Sequence, residues 1–396
     1  MGSSSRSCHS LGCAIVVVGG ILAACGGASV AGAPSEPGTY PAIRAALTIT
    51  PERLPSYAVV RLPRHYVGGP YTHWDNSGGS LITDAGATLG RVLFHDRQLS
   101  VSGTVACSSC HIQRYAFGDT ARFSLGHDGV TRTSRHAMRL VNLRYFPFPG
   151  FGWGMTTTSL EAQVLRPITA SAEMGFTPEH GGVDSLLRRM RTLPYYPELF
   201  RLAFGDDSIT VSRMQTALAM FVRSIVSTSS RWDTGYEPNY DSTTYDQGLR
   251  GRLLNETEVE RVGRLLFLSG RALGATGGCA ACHVPPHFAS PGTPDGIGLD
   301  AGESRGFKAP SLKNVAVAGR FMHDGRFATL EEVIDHYDHG VQDGPGLSPL
   351  LRDPLTGKPL RMELDAYGKA ALVAFLKTLT DSTVLTDPRF GNPFRR

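Results

Sequence analysis

Apolar and polar positions recur along this chain at helical spacing, and they do so twice. "LGRVLF" (Leu89 to Phe94) and "VGRLLF" (Val262 to Phe267) each read as the C-terminal part of an amphipathic helix. In the second, Val259, Val262 and Leu266 form one apolar stripe, and Asn255 followed by Glu258 has the form of a capping box at its start. "ALAMFVRSI" (Ala217 to Ile225) resembles "ALVAFLKTL" (Ala371 to Leu379), each an apolar-faced helix that closes its half. "SLEAQV" (Ser159 to Val164) pairs in the same way with "TLEEVI" (Thr329 to Ile334). A stripe of this kind is core packing before it is anything else. The common order predicts a mainly α protein made of one unit used twice.

Length and charge agree with that reading. The 396 residues favour two domains and suffice for a sizeable core. The net charge is +4 and no basic run stands out, so nucleic acid is not an implied partner. The 46 Gly and 25 Pro suit a chain wrapped in long loops around buried groups, not a coiled coil or a sheet sandwich.

The first residues read as a targeting segment. Arg6 precedes an apolar run, "CAIVVVGGILAAC" (Cys13 to Cys25), that is too short for a stable span. "LAAC" (Leu22 to Cys25) resembles the lipobox of bacterial lipoproteins, with ordinary cleavage after "AGA" near Ala33 as the competing reading. The expectation is a lipoprotein-type signal peptide over 1–24 and a periplasmic protein anchored through Cys25. Gly26 in place of an Asp points to the outer membrane where the cell has one. Residues 26 to about 57, rich in Ala, Gly, Pro and Ser, read as a tether. The expected boundaries are a tether and N-terminal arm over 25–75, then domains over 76–245 and 246–396.

Of seven cysteines, Cys8 and Cys13 leave with the signal and Cys25 is lipidated. The other four stand in two C-x-x-C-H motifs: Cys107, Cys110 and His111, then Cys279, Cys282 and His283. A thioredoxin-like pair expects a βαβ setting, which neither motif has. A zinc site would draw on both motifs and leave a surplus of histidine. The third reading is covalent haem c, in which two thiols add to the vinyl groups and the adjacent histidine is the proximal iron ligand. Gly90 precedes Cys107 by 17 residues and Gly263 precedes Cys279 by 16, so both motifs follow the repeated helix alike. The fold class expected is two tandem cytochrome c-like domains, each enclosing one haem.

With both motifs, "SLGHDG", "SLEAQVLRPITASAEMG" and "FKAPSLKNVAVAGRFMHDGRFATLEEV" in this order, the chain resembles the bacterial di-haem cytochrome c peroxidases, a family that includes MauG-type oxidases. The resemblance covers about Ser80 to Thr380. It implies peroxide chemistry at the first haem and electron entry at the second.

The resemblance also assigns residues. Glu173 matches the distal glutamate that moves a proton on bound peroxide, and Gln163 the distal glutamine. Trp153 aligns with a tryptophan between the haems, although "WGMT" stands where the family has "WDGR". His127, 16 residues after His111, matches a displaceable ligand of the first iron in the peroxidases. Tyr337, 14 residues after His323, stands where they place a methionine, and a tyrosine ligand there resembles the MauG arrangement. Met322 competes for that role, and His323 is expected at the haem edge or a propionate.

The family carries a calcium ion between its domains. Here His136 replaces its asparagine ligand, and backbone carbonyls near Ala318 to Arg320 remain. Three functions follow as expectations. The first is peroxide reduction with electrons from a small cytochrome c or copper protein. The second is a MauG-like oxidase acting on aromatic residues of a partner protein. The third is a carrier with no substrate, against which Gln163 and Glu173 count. Homodimers are common in the family.

Overall fold

Local capping chemistry sets where the helices begin. Thr83 accepts the Gly86 N–H at the start of α3 (Asp84–His95), and Ser159 accepts the Ala162 N–H at the start of α5 (Leu160–Thr169). Thr210 caps α8 (Val211–Ser224), and Asp365 caps α12 (Ala366–Thr378). A reciprocal box joins Thr329 and Glu332 at α11 (Leu330–Asp335). The remaining α-helices are α1 (Pro41–Ala46), α2 (Arg64–Val67), α4 (Cys107–Cys110), α6 (Gly182–Thr192), α7 (Tyr195–Phe204), α9 (Arg231–Tyr236), α10 (Glu258–Ser269) and α13 (Ser382–Thr386). The structure, a computed structural model, describes residues 39–68, 74–77, 81–146, 150–269, 278–290, 292 and 294–395. The expected signal peptide and Cys25 lie outside the described residues. Among those described, β pairing is confined to isolated bridges.

The cap of α10 differs from expectation. Thr257, not Asn255, accepts the Glu260 N–H, and Glu260 returns the bond to the Thr257 N–H at 2.8 Å. Asn255 instead donates to the Arg231 carbonyl and the Thr234 hydroxyl, tying α10 to α9. The apolar stripe turns with the cap. Val259 is exposed, while Gly263, Arg264 and Phe267 form the buried face.

Each half has its own core. In the first, α3 crosses α8, and Leu89, Val92, Leu93, Phe117, Leu218 and Phe221 are buried together. In the second, α10 crosses α12, with Phe267, Phe288, Leu372 and Phe375 at the centre. The chain trades segments between cores. Ile43, Leu47 and Tyr57 pack into the first core, so the expected tether ends before α1 and cannot reach residue 57. Val384 and Phe390 of the C-terminal tail join the first core, whereas Trp232, Tyr236 and Tyr240 belong to the second.

The arm is pinned to the second half through charge. His65 Nε2 lies 3.3 Å from Asp233 Oδ1, and the other Asp233 oxygen pairs with the Lys313 ammonium. All three side chains are fully buried. A buried carboxylate needs such partners to stay charged, and the Lys313 and His65 groups hold Asp233 below the usual range although burial pushes it up.

Candidate functional site

The two C-x-x-C-H motifs fold alike down to one atom. His111 Nδ1 donates to the Phe117 carbonyl at 2.8 Å. His283 Nδ1 meets the Phe288 carbonyl at 3.3 Å and that of Pro310 at 3.1 Å. In each motif a short bridge, Ile112 to Gly118 or Val284 to Ala289, turns the chain so that the phenylalanine carbonyl comes back to the imidazole. Both phenylalanines are fully buried and take positive φ, 59° at Phe117 and 51° at Phe288. That conformation is rare for a bulky side chain and holds only where packing enforces it. With Nδ1 engaged, Nε2 is the free ligand atom, and the carbonyl fixes ring orientation and raises basicity. Burial lowers both imidazoles, His283 to about 4, so both are neutral and able to ligate. The phenylalanines were not singled out from sequence. The signal was there as a Phe five or six residues after each motif histidine.

The thiols bear on which chemistry the motifs serve. None is paired in a disulfide. Burial raises Cys107 and Cys282 to about 12 and Cys110 and Cys279 to about 11. Raised thiols of this kind disfavour a reactive dithiol pair, which works through accessible thiolate. The two motifs also do not converge on one point. Among the described residues the group of metal-type ligands that does converge is Asp335, Asp338 and His339, where Lys369 already pairs with both carboxylates.

A largely apolar cavity opens beside the second motif. It encloses ≈ 1540 Å³ free of protein atoms, its solvent-facing mouth included. Cys279, Cys282 and His283 line it together with Tyr337, Met322 and His323. Tyr337 sits on a π-helical turn, His336–Gly340, that extends α11; such turns recur at functional sites. Burial raises its phenol, and Tyr337 shares the cavity wall with Cys279, Cys282 and His283. Met322 shares the wall at a positive φ of 70°. His323 is stacked on Phe307 at 3.6 Å, with Arg135 donating to its Nδ1 at 2.9 Å and Glu303 3.6 Å from its Nε2.

At the first motif, Glu173 follows α5 in a tight turn. Burial raises its carboxyl, partly offset by Arg166, and its charge acts on both Cys107 and Cys110. Gln163 leans the other way: its Oε1 accepts from Thr157 at 2.8 Å and touches Gly152, next to Trp153. His127 is joined to Glu173 through its N–H and the Glu173 carbonyl at 2.8 Å. Its ring lies on Gly175, where a Cβ would collide with it, and edge-on to His180 at 6.1 Å. The structure thus places the His127 ring against the Glu173 turn.

Trp153 stands between the halves. Its indole N–H donates to the His136 carbonyl at 2.7 Å, its own carbonyl accepts the Lys308 N–H at 2.8 Å, and its ring is edge-on to His323 at 6.5 Å. His136 completes the link by donating its N–H to the His323 carbonyl at 2.9 Å. The His136 ring donates from Nδ1 to the Ala121 carbonyl at 3.1 Å and lies in the field of the half-buried Arg139. Calcium wants six to eight oxygen ligands. An imidazole N–H beside a guanidinium supplies no oxygen, so His136 does not replace the asparagine ligand.

The residues do fit a c-type haem at each motif: two unpaired thiols, a neutral imidazole with Nε2 free, and at the second motif an apolar cavity with a phenol in its wall. Comparison with known proteins agrees. A family model described as di-haem cytochrome c peroxidase matches residues 84–241 and 257–341. The methylamine utilization protein MauG of Methylorubrum extorquens is 33% identical over 75% of this chain and 79% of its own. The cytochrome c551 peroxidase of Nitrosomonas europaea is 28% identical over 74% and 79%. Among solved structures, a MauG-like protein associated with microbial copper homeostasis aligns with a TM-score of 0.64 and 28% identity, covering 86% of this chain and 98% of that one. The diheme peroxidase BthA of Burkholderia thailandensis, at 21% identity and a TM-score of 0.59 over 78% and 90%, shares the fold of two cytochrome c-like units. This chain belongs to the di-haem cytochrome c peroxidase family of oxidoreductases, which carry haem c.

Proposed function

We propose that the chain reduces hydrogen peroxide to water at the first motif, with electrons taken in at the second from a small cytochrome c or copper protein. Haem supplies the redox chemistry when bound. Glu173 takes a proton from one peroxide oxygen and returns it to the leaving one, Gln163 orients the Trp153 loop, and Trp153 lies on the path between the halves. The observation that carries this reading is the half-buried Glu173 on the turn after α5, with the His127 N–H bonded to its carbonyl and the His127 ring against Gly175, since a mere carrier has no use for an acid and an imidazole there. The proposed chain is exported by residues 1–24 and held in the periplasm by lipid on Cys25, which the "LAAC" stretch supports.

A second reading, oxidation of aromatic residues on a partner protein, is favoured by Tyr337 lining the same cavity as Cys279, Cys282 and His283. One experiment separates the two. Peroxide turnover is measured on the haem-loaded protein, diferric and half-reduced, with reduced cytochrome c as donor and EPR of both resting states. Fast turnover that needs half-reduction means a peroxidase gated by His127. Slow turnover with a five-coordinate first haem at rest means an oxidase and directs the search to a protein substrate.

A further inference from the structure

A buried lysine and a half-buried arginine stand where the halves meet, with no carboxylate to answer them among the described residues. Lys308 is 3% exposed, and among the described residues its ammonium has no hydrogen-bond partner. It rests instead on aromatic faces of the first half, 3.3 Å from the Phe146 ring centre and 5.3 Å from that of Phe151. Arg139 is half-buried, with its Nε enclosed. Its Nη2 donates to the Ser311 carbonyl at 3.2 Å, its Nε has no partner, and it pairs with no carboxylate among the described residues. Both residues line the cavity that Cys279, Cys282 and His283 face. Burial alone lowers Lys308 to about 7 and Arg139 to about 10, with no neighbouring carboxylate acting on either.

An isolated charge in an apolar setting is costly, and natural folds pair it or coordinate it. Most of the other buried cations here obey: Lys313 has Asp233, Arg264 has Glu256 and Arg223 has Glu161, while Arg91 has the Gly391 carbonyl as acceptor. Ring faces soften the cost at Lys308 but do not supply hydrogen-bond acceptors to an ammonium with three donors.

We propose that Lys308 and Arg139 form a carboxylate-binding cradle that closes on a haem propionate. Lys308 reaches it as a point charge from the first-half side, and Arg139 offers its free Nε beside the second motif. The cradle rests on haem loading and is independent of which substrate is oxidised. Its position between the halves lets a propionate of either haem fill it.

The test uses the haem-loaded full chain with Lys308→Met and Lys308→Arg, both checked for two haems by mass and by pyridine haemochrome. Potentials are read by spectroelectrochemistry and stability by thermal melting. A paired ammonium favours the reduced haem, so Lys308→Met is expected to lower one of the two midpoint potentials and to lower Tm, while Lys308→Arg keeps both near wild type. The haem that moves owns the propionate; a Cys107→Ala, Cys110→Ala chain, which retains the second haem alone, identifies it. Unchanged potentials together with a higher Tm for Lys308→Met would overturn the cradle, since that is what removing an unpaired buried charge does. A wild-type potential that follows added acetate would overturn the propionate in favour of a free anion. Should Lys308→Met fail to load haem, loading by Lys308→Arg upholds the cradle, and equal failure by Lys308→Arg overturns it.

Discussion

Gly263 lies against the carbonyl oxygen of Ala371, so close that a Cβ there would overlap it. Gly90 meets the carbonyl of Ala217 in the same way in the first half. These are the crossing points of α10 on α12 and of α3 on α8. The duplicated unit is therefore held by one backbone-to-backbone contact used twice, and each haem motif hangs from the helix that makes it.

Gly263→Ala should destabilise the second half despite the better helix propensity of alanine. Propensity favours alanine by about 1 kcal/mol. Overpacking a close crossing costs about 1–3 kcal/mol, and more where the clash is with backbone. The clash wins because Ala371 cannot rotate its carbonyl away without breaking α12. Thermal melting of the haem-loaded variant should show a Tm lowered by several degrees; an unchanged or higher Tm would show that the helices separate freely.

Much of this was legible in the sequence because a covalent cofactor forces local spacing. The two motifs, the helices before them, the closing helices and the order of Glu173, Gln163 and Tyr337 all follow from short stretches. What escaped depends on partners far along the chain. The α10 cap moved from Asn255 to Thr257 because Asn255 has a use on α9. The supposed tether became part of the core because Ile43 and Leu47 find apolar neighbours that no local pattern announces. Phe117 and Phe288 were not singled out, and only the folded turn shows that their carbonyls face the motif histidines.

Glu173→Gln should separate catalysis from stability. Loss of a positioned acid/base group costs about 10²-fold or more in peroxide turnover. The folded carboxyl sits above its unfolded value because burial penalises the charge, opposed by Arg166. A raised carboxyl contributes stability below its unfolded range and loses it as pH rises through the folded one. The glutamine variant, which never charges, should therefore match wild type in acid and exceed it in Tm near neutrality. Wild-type turnover should fall as pH drops through the same raised range. Turnover retained in Glu173→Gln would remove the residue from the chemistry.

With His136 in place of an oxygen ligand, the seam is expected to hold without calcium. The His136 ring and backbone already bond Ala121, Trp153 and His323. Dialysis against a chelator should leave the spectra of both haems and the peroxide turnover within about twofold of the untreated protein, with elemental analysis finding no stoichiometric calcium. His136→Asn restores an oxygen ligand but strips the Ala121 bond. That variant is expected to melt lower in the absence of calcium and to regain stability when it is added. Inactivation of the wild type by the chelator, reversed by calcium, would place the ion at the seam after all.

Tyr337 offers the sharpest reading of the second site. Its phenol lines the same cavity as His283 and is raised by burial. Bonding to iron would need the proton to leave, and phenolate then favours the ferric state. Tyr337→Met should therefore raise the second haem's midpoint by about 0.1 V or more, within the ~0.8 V span that axial ligands command. Tyr337→Phe should keep both haems attached, since Cys279, Cys282 and His283 are untouched, but change the second haem's ferric spectrum alone. The signs are opposite if Met322 is the ligand: Met322→Leu would then change that spectrum and Tyr337→Phe would leave it as it was. Spectra of the two variants, recorded side by side in the ferric state, decide between them because a ligand's loss changes spin state while a neighbour's loss does not.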